Sequence, residues 1–591
     1  MRVLNTKLPK FQTISDLYVH SPQATEHLRI GVLLDTPEVF RSVATVLRDI
    51  IRSDFAKLQL LVLNAAAQEA RSNRPRIFAR LWPLVRTSQA RATLLWQIYN
   101  CFDLRVWQVD DGPLEREDCQ HLLKGIESME VLPIATAFAD RFPEDAVSAI
   151  RSKNLDVLLH FGFNVIRGDI LNAAKYGVWS FHHGDTDYYR GGPEYFWELC
   201  EQNPISAAVL QILGEEPDSC RTLAKAFFPT QTGLSLLRNR VQPYWSSTHL
   251  VIQKLWELHA RGWSFVERRI LPPTRYRGKK EVYTVPANIQ MVRWLVPAAA
   301  RKLYQRVGLT VRRSENAAYW QIGIRTGGHF IQGADGAPDT TGFQWIKAPA
   351  GHFYADPFVF ERYGRHWVFF EDYDYKRGRG TIACAEVSPS GRIGACQVVV
   401  EDEVHLSYPY VFLEGNSIYM IPESGSAGVV RLYRCVRLPG QWTLVAELFY
   451  GPAFDTSVWK QEGKWWFFTT LMDPRGHGIA LYLFFSESLT GKWRYHPANP
   501  ISQDVRTARG AGRLFRRNGR LIRPSQNSIF QYGYSFTLNE IEKLTPSEYH
   551  ERAILSVEPN RFHGLQGTHT YSQSGSIEAI DGKIPWRRSR I

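Results

Sequence analysis

Leu28 to Leu34 (LRIGVLL) reads as a buried strand, and Pro37 opens a segment through about Arg52 whose apolar positions recur at helical spacing. A second apolar run follows at Leu58 to Leu63. Strand, helix and strand in this order predict a parallel sheet with helices on its faces. The stretch from Ala65 to about Cys119 reads as helical without a distinctive face. From Glu144 the alternation resumes: a helix (EDAVSAIRSKN), a strand at 155–163 (LDVLLHFGF), a helix near Ile166 to Lys175, and a short strand at 177–182 (GVWSFH). A Gly-rich loop (DTDYYRGGP) and a strand at 205–213 (ISAAVLQIL) come next. In open α/β sheets ligands bind beyond the carboxyl ends of the strands. The predicted cleft therefore lies at two strand ends, His160 to Asn164 and His182 to Asp185.

Between about Val241 and Leu309 the chain becomes basic, helical and punctuated by Pro (LPPTRYRGKK, then NIQMVRWLVPAAARKLYQRV). The amphipathic second part reads either as a packing helix between domains or as an element lying on a membrane surface. The predicted organisation is an N-terminal tail over 1–27, an α/β domain over 28–240, a helical basic linker over 241–318 and an all-β domain over 319–591.

The last of these rests on an internal repeat. Five stretches share a short apolar strand, a polar turn and a second strand: DPFVFERYGRHWVFFED from Asp356, PYVFLEGNSIYMIPES from Pro409, TSVWKQEGKWWFFTT from Thr456, GRLFRRNGRLIRPSQ from Gly512 and GTHTYSQSGSIEAIDG from Gly567. Their starts lie 47 to 56 residues apart. A hairpin at that period predicts a five-bladed β-propeller, because each blade needs a neighbour to bury its faces. Polar residues at equivalent blade positions then converge on one funnel. The candidates are Asp356, Glu371, Glu423, Asp455, Arg513, Arg523, Gln526 and His569, with Arg523 or Arg513 expected to relieve repulsion among the carboxylates. Two carboxylates across a sugar are what glycoside chemistry requires.

Composition narrows the partners. Of 591 residues, 44% are hydrophobic and 22% charged, values of a folded soluble chain, and aromatics reach 13%. The net charge of +13 raises the question of nucleic acid, but the basic residues are scattered among acids and no nucleic-acid-binding motif organises them. No nucleic-acid partner is expected. The seven Cys lie far apart without a CxxC pair, so no disulfide framework or zinc site is indicated. The first twenty residues lack an apolar core and no run approaches a membrane span. No metal and no integral membrane segment are expected, and the expected setting is a bacterial cytoplasm.

The block from about Trp320 to Glu551 resembles the propeller at the N-terminus of plant glucosamine inositolphosphorylceramide transferases. It is more distantly similar to five-bladed glycosidases acting on arabinosides, xylosides or fructosides. The motifs that carry this are HFYADPFVF, SYPYVF with MIPES, and RGAGRLF with RPSQN. In those glycosidases one Asp is the base, a second Asp tunes pKa and a Glu is the acid. The resemblance puts Asp356 at the first of these by its ADPF context, and Glu423 and Asp455 at the others by order along the chain.

The segment from Leu155 to about Ala224 resembles the catalytic domain of folate-dependent formyltransferases, which act on glycinamide ribotide, methionyl-tRNA and amino sugars. That family carries Asn-x-His at a strand end, a Tyr-Arg-Gly loop and a later Asp; this chain has Ser180-Phe181-His182, Tyr189-Arg190-Gly191 and Asp218. The resemblance implies a Rossmann-like fold with His182, Asp218 and Ser180 as catalytic residues. It implies substrate contacts from His183, Asp185, Tyr189, Arg190 and Gly191, and 10-formyltetrahydrofolate held beside Phe161, Gly162, Phe163 and Asn164. Ser180 stands where the family has an oxyanion-holding Asn. The function these resemblances imply is formyl transfer to an amino group on a sugar or glycan, with a carbohydrate-handling propeller. The alternatives are a glycosidase or glycosyl-transfer accessory with only the propeller active, or a non-catalytic glycan-binding scaffold.

Overall fold

The structure, a computed structural model, describes residues 12–72, 88–107, 112–136, 139–231, 233–311, 318–328, 330–333, 336–472 and 479–585. The chain divides into two compact units, Ile14–Lys302 and Leu303–Ile591.

The first unit is built on a seven-stranded mixed sheet. Its strands are β1 (Leu28–Leu34), β2 (Ala56–Asn64), β3 (Glu127–Val131), β4 (Val157–His160), β5 (Val178–His183), β6 (Ile205–Ile212) and β7 (Arg221–Pro229), in the order β7-β6-β5-β4-β1-β2-β3. The five strands from β5 to β3 run parallel, and β6 and β7 extend the sheet antiparallel. The apolar run of β1 is buried at every position but Arg29, as expected of a central parallel strand covered on both faces. Helix α1 (Arg41–Arg52) buries Ala44, Val46, Leu47 and Ile50, and α2 (Glu144–Ser152) buries Val147 and Ile150. A core of Leu33, Leu60, Val62, Ile150 and Leu158 sits between sheet and helix. Fully burying each such side chain contributes about 1.5–3 kcal/mol.

Three expectations are revised. The helix expected near Ile166 to Lys175 is a two-residue strand, Ile166–Arg167, and one 3-10 turn, Asp169–Asn172. Gly168 between them has φ of 86°, which interrupts any helix. The expected linker does not begin at Val241. Helices α3 (Leu236–Ser247) and α4 (His249–Arg261) bury Trp245, Leu250, Val251 and Leu255 inside the first unit. Lys254 and Glu257 are buried and pair with each other at 2.7 Å. Residues 1–11 of the expected tail and 312–317 of the expected linker lie outside the described residues, but Ile14–Tyr18 forms a 3-10 turn. There Tyr18 is fully buried, edge-on to Trp256 at 5.9 Å.

The second unit is mostly β. Four antiparallel sheets follow one another along the chain, over 352–400, 407–450, 453–495 and 509–557. A fifth joins strands from both ends of the unit: Ala318–Arg325 and Gln344–Ile346 pair with Tyr571–Ser574 and Ile577–Pro585. Each of the five hairpins read from the sequence supplies strands to a different sheet. The first sheet touches both the second and the fifth, and the second touches the third and the third the fourth. The fourth meets the fifth through Tyr571 N donating to Ala511 O at 2.7 Å. The two ends of the unit are locked by a buried ion pair, Arg325 Nη2 to Glu578 Oε2 at 2.5 Å.

The first three sheets repeat one irregularity in their first strand. Register shifts fall between Ala355 and Phe358, Ser407 and Tyr410, and Phe454 and Ser457. Within each lies a residue at positive φ: Asp356 at 50°, Tyr408 at 44° and Asp455 at 48°. Bulges re-aim side chains, and a non-Gly residue held in this region costs on the order of 1–3 kcal/mol. In the fourth sheet the corresponding point breaks the first strand into Arg509–Gly510 and Phe515–Arg517. Gly512 stands in the gap with φ of 128°, where a Cβ would lie 1.9 Å from Tyr571 O.

Candidate functional site

The repeated bulges bring polar groups from different sheets into one buried cluster. Asp356 Oδ1 accepts from Thr570 Oγ1 at 2.7 Å, and its Oδ2 accepts from Tyr408 N at 3.3 Å. Those partners belong to the region leading into the fifth sheet and to the second sheet. His569 Nε2 lies 3.7 Å from Asp356 Oδ1, and its Nδ1 pairs with Asp581. Asp581 Oδ1 also accepts from the backbone N–H groups of His569 and Thr570 at 2.7 and 3.0 Å. Trp320 covers the His569 ring with centroids 4.3 Å apart.

A second level lies one strand further in. Ala355 pairs with Glu371 and Ser407 with Glu423, so these two glutamates occupy the same place in successive sheets. Glu423 Oε2 accepts from Ser407 Oγ at 2.8 Å and its Oε1 from Gly425 N at 2.6 Å. Asp455 pairs with Arg509 and accepts from Gln526 Nε2 at 3.4 Å. The Arg509 guanidinium in turn lies over the Tyr532 ring, 4.7 Å from its centroid.

Crowded burial sets the protonation of these groups. Burial pushes the Glu423 carboxyl up to about 7, with the Asp455 charge adding to it against the two hydrogen bonds. Burial also raises Glu371 well above the carboxylate range, helped by Asp356 and Glu423. Asp356 is raised by burial, opposed by His569. Burial works against the His569 imidazolium, but Asp581 and Asp356 outweigh it and hold the pKa above the ordinary value. Arg509 is likewise desolvated, yet the Asp455 charge holds it fully protonated. The result is a site with one acid poised near neutrality, one paired Asp–Arg couple and one Asp–His–Asp chain. Asp356, His569 and Asp581 also offer three ligand atoms within 4.8 Å of one another, a donor set that a divalent cation accepts.

Asp356, Glu371, Glu423, Asp455, Gln526 and His569 lie in this cluster. The expected cations do not. Arg523 is turned away, buried against Glu551 at 2.6 Å and Thr507 O at 3.0 Å, and the charge of Arg513 acts on the buried Tyr410 phenol. Arg509 takes the place assigned to them. Sequence reasoning also missed Tyr408 and Asp581, although the repeat holds the signal: Tyr408 is the second sheet's counterpart of Asp356.

The first unit places its candidate residues differently from expectation. Asp218 is not beside His182; it sits on an exposed turn, 81% accessible, and accepts from Arg190 at 2.5 Å. His182 Nε2 instead meets Tyr189 O at 2.8 Å, and burial lowers its pKa. Ser180 Oγ is engaged by His160 Nδ1 at 2.9 Å, so it is not a free oxyanion donor. His183 stacks on Tyr244 at 3.8 Å and is pushed down to about 3 by burial and the neighbouring His182. Asp185 is a structural anchor, paired with Lys225 at 2.6 Å. Tyr189 OH reaches Glu201 at 3.5 Å, and Gly191 lies so close to the Tyr283 backbone that a Cβ there would meet Tyr283 O at 2.2 Å.

The expected cofactor strip is likewise used by the fold. Phe161 lies 6.5 Å from Phe181, centroid to centroid. Gly162 lets β4's end run against Leu34 and Asp35, where a Cβ would clash at 2.1 Å. Phe163 N donates to Asp35 at 2.7 Å, and Asn164 Nδ2 to Asp140 at 3.1 Å. Two cavities nevertheless open beyond these strand ends, of about 220 and 1090 Å³, and both are lined by His160 and Ser180.

Residues 344–566 match the family described as glucosamine inositolphosphorylceramide transferase 1, N-terminal. The protein of that name from Oryza sativa subsp. japonica is 35% identical over 252 residues, covering 40% of this chain and 34% of that one. The Arabidopsis thaliana protein of the same name is 33% identical over 218 residues, covering 36% and 28%. The chain spans about a third of the length of these curated relatives. Among solved structures, glycinamide ribonucleotide transformylase 1 from Symbiobacterium toebii aligns at 14% identity and a TM-score of 0.25, over 42% of this chain and 92% of that one. A β-fructofuranosidase from Bombyx mori aligns at 14% and 0.31, over 49% and 63%. Scores this low carry no argument about fold or function. The named relatives are plant transferases on an inositolphosphorylceramide, a sphingolipid. They overturn the expected formyl transfer, its folate donor and the bacterial cytoplasmic setting. The geometry agrees with the first of these corrections, because Asp218 and His182 form no catalytic pair. The matched similarity falls on the second unit, and the relatives it reaches are transferases.

Proposed function

We propose that the five sheets of the second unit are the blades of a closed β-propeller and that the cluster around Asp356, Glu423 and Asp455 is a glycosyl-handling site. Pairing of Ala318–Arg325 with Ile577–Pro585 is the kind of closure such a ring needs. The observation that carries the site is Glu423, a buried carboxyl with a pKa of about 7, in the same cluster as carboxylates of other sheets. Glycosyl chemistry needs an acid for the departing oxygen and a carboxylate across the sugar, and environments that separate two carboxyl pKa values assign those roles.

In this reading Glu423 donates the proton and Asp356 faces the sugar from the first sheet, its charge supported by His569 and Thr570. Asp455, paired with Arg509, orients the sugar. The matched relatives are named for an amino sugar and an inositolphosphoryl lipid, so a glycosylated inositolphosphoryl headgroup is the proposed substrate class.

The test is turnover of glycosylated inositolphosphorylceramide in mixed micelles by the full chain, read by mass spectrometry. Glu423→Gln is expected to cut turnover about 10²-fold or more while leaving headgroup binding within a few-fold. Undiminished turnover in that variant would overturn the reading.

A further inference from the structure

Helix α5 (Asn288–Val311) carries two opposed apolar faces. Met291 and Trp294 on one side are buried in the first unit's aromatic core. On the other side Ile289, Val292, Val296 and Leu303 are 58, 43, 62 and 64% exposed. At 3.6 residues per turn these four fall within an arc of about 60°, which Ala299 and Ala300 widen to about 100°. Both alanines are exposed too. An apolar stripe this long is not the ordinary scatter of single exposed residues.

The chain leading into the stripe adds to it. Leu271, Val282 and Val285 are also exposed large apolar residues. Over residues 268–302 there are nine Lys or Arg and a single acid, Glu281. Arg275, Arg277, Lys279, Arg293 and Arg301 are all exposed. Apolar groups flanked by cations on a surface helix match a bilayer interface in which acyl chains take the stripe and anionic headgroups meet the cations. No helix among the described residues is long and apolar enough to cross a membrane, so any such contact lies in the surface plane.

We propose that residues 268–303 form a peripheral docking surface for the anionic face of a lipid bilayer. This surface is independent of the assignment of the carboxylate cluster. A nucleic-acid partner would use the cations without needing the apolar stripe, and a second copy of the chain would bring like charge against like.

Sedimentation of the full chain with vesicles tests it, comparing phosphatidylcholine alone with phosphatidylcholine containing 30% phosphatidylinositol. The expected result is binding to the anionic vesicles, weakened more than tenfold by 0.5 M salt and more than tenfold by Val292→Glu with Val296→Glu. Arg293→Glu with Arg301→Glu is expected to remove the preference for anionic lipid. The substituted side chains are exposed, and an unchanged melting temperature confirms that each variant is folded. Three outcomes would overturn the proposal: no vesicle binding, binding indifferent to these substitutions, or a concentration-dependent dimer that Val296→Glu dissolves.

Discussion

Glu423 is the residue on which the chemistry turns. Its pKa of about 7 against an ordinary 4.5 means the folded protein holds a proton there that the unfolded chain releases. Because the folded value is raised, the stability this carboxyl permits is intact below about pH 4.5 and is lost as pH rises through 7. The penalty above neutrality is on the order of 3 kcal/mol, and burial raises Glu198 to about 8 in the same direction. Urea unfolding at pH 4 and pH 8.5 should show Glu423→Gln recovering stability only at the higher pH, and an equal gain at both would mean that titration of Glu423 does not cause it. Activity should carry the same signature as a falling limb near pH 7. In the first unit, Lys225 neutralises buried Asp185 and half-buried Asp187. Lys225→Met should cost about 3 kcal/mol in the same assay, since it strands a buried carboxylate.

At the scale of elements, the hairpin repeat was legible because apolar strand, polar turn and aromatic strand recur at a near-constant period. The alternation alone located both strands of every repeat. What it could not register was the bulge. A one-residue irregularity leaves the periodicity almost unchanged, yet it fixes which polar residue turns inward, and so Tyr408 and Asp581 were passed over while Arg523 was chosen. Arg509 and Arg523 sit in one basic run, and only the break in the strand at 511–514 separates the one that meets Asp455 from the one that meets Glu551. The break should be sensitive to a single methyl group. Gly512→Ala places a Cβ against the Tyr571 carbonyl in a backbone region closed to L side chains. It should destabilise by about 2 kcal/mol or more, and a melting temperature equal to wild type would contradict the geometry. In the first unit the strand runs were equally legible, whereas the Asp218 assignment failed because sequence spacing cannot say that a turn points to solvent.

At the scale of the molecule, the chain joins a mixed α/β unit to a mostly β unit whose first and last strands share a sheet. The α/β alternation and the hairpin repeat announced two domains, but not that helices α3 and α4 belong to the first. Buried charge was the reason, since Lys254 and Glu257 satisfy each other out of water. The closing ion pair of the second unit makes its own prediction. Arg325→Met leaves Glu578 buried without its cation. The cost should be about 3–5 kcal/mol, read as a loss of cooperative unfolding in the β unit. The central claim, that the carboxylate cluster of the second unit handles a sugar, is tested most directly by a crystal structure of the full chain with a glycosylated inositolphosphoryl headgroup bound. The expected result is a sugar ring whose linking oxygen lies within hydrogen-bond reach of Glu423, with Asp356 across the ring. A headgroup seated in the cavities of the first unit, with the cluster unengaged, would contradict it.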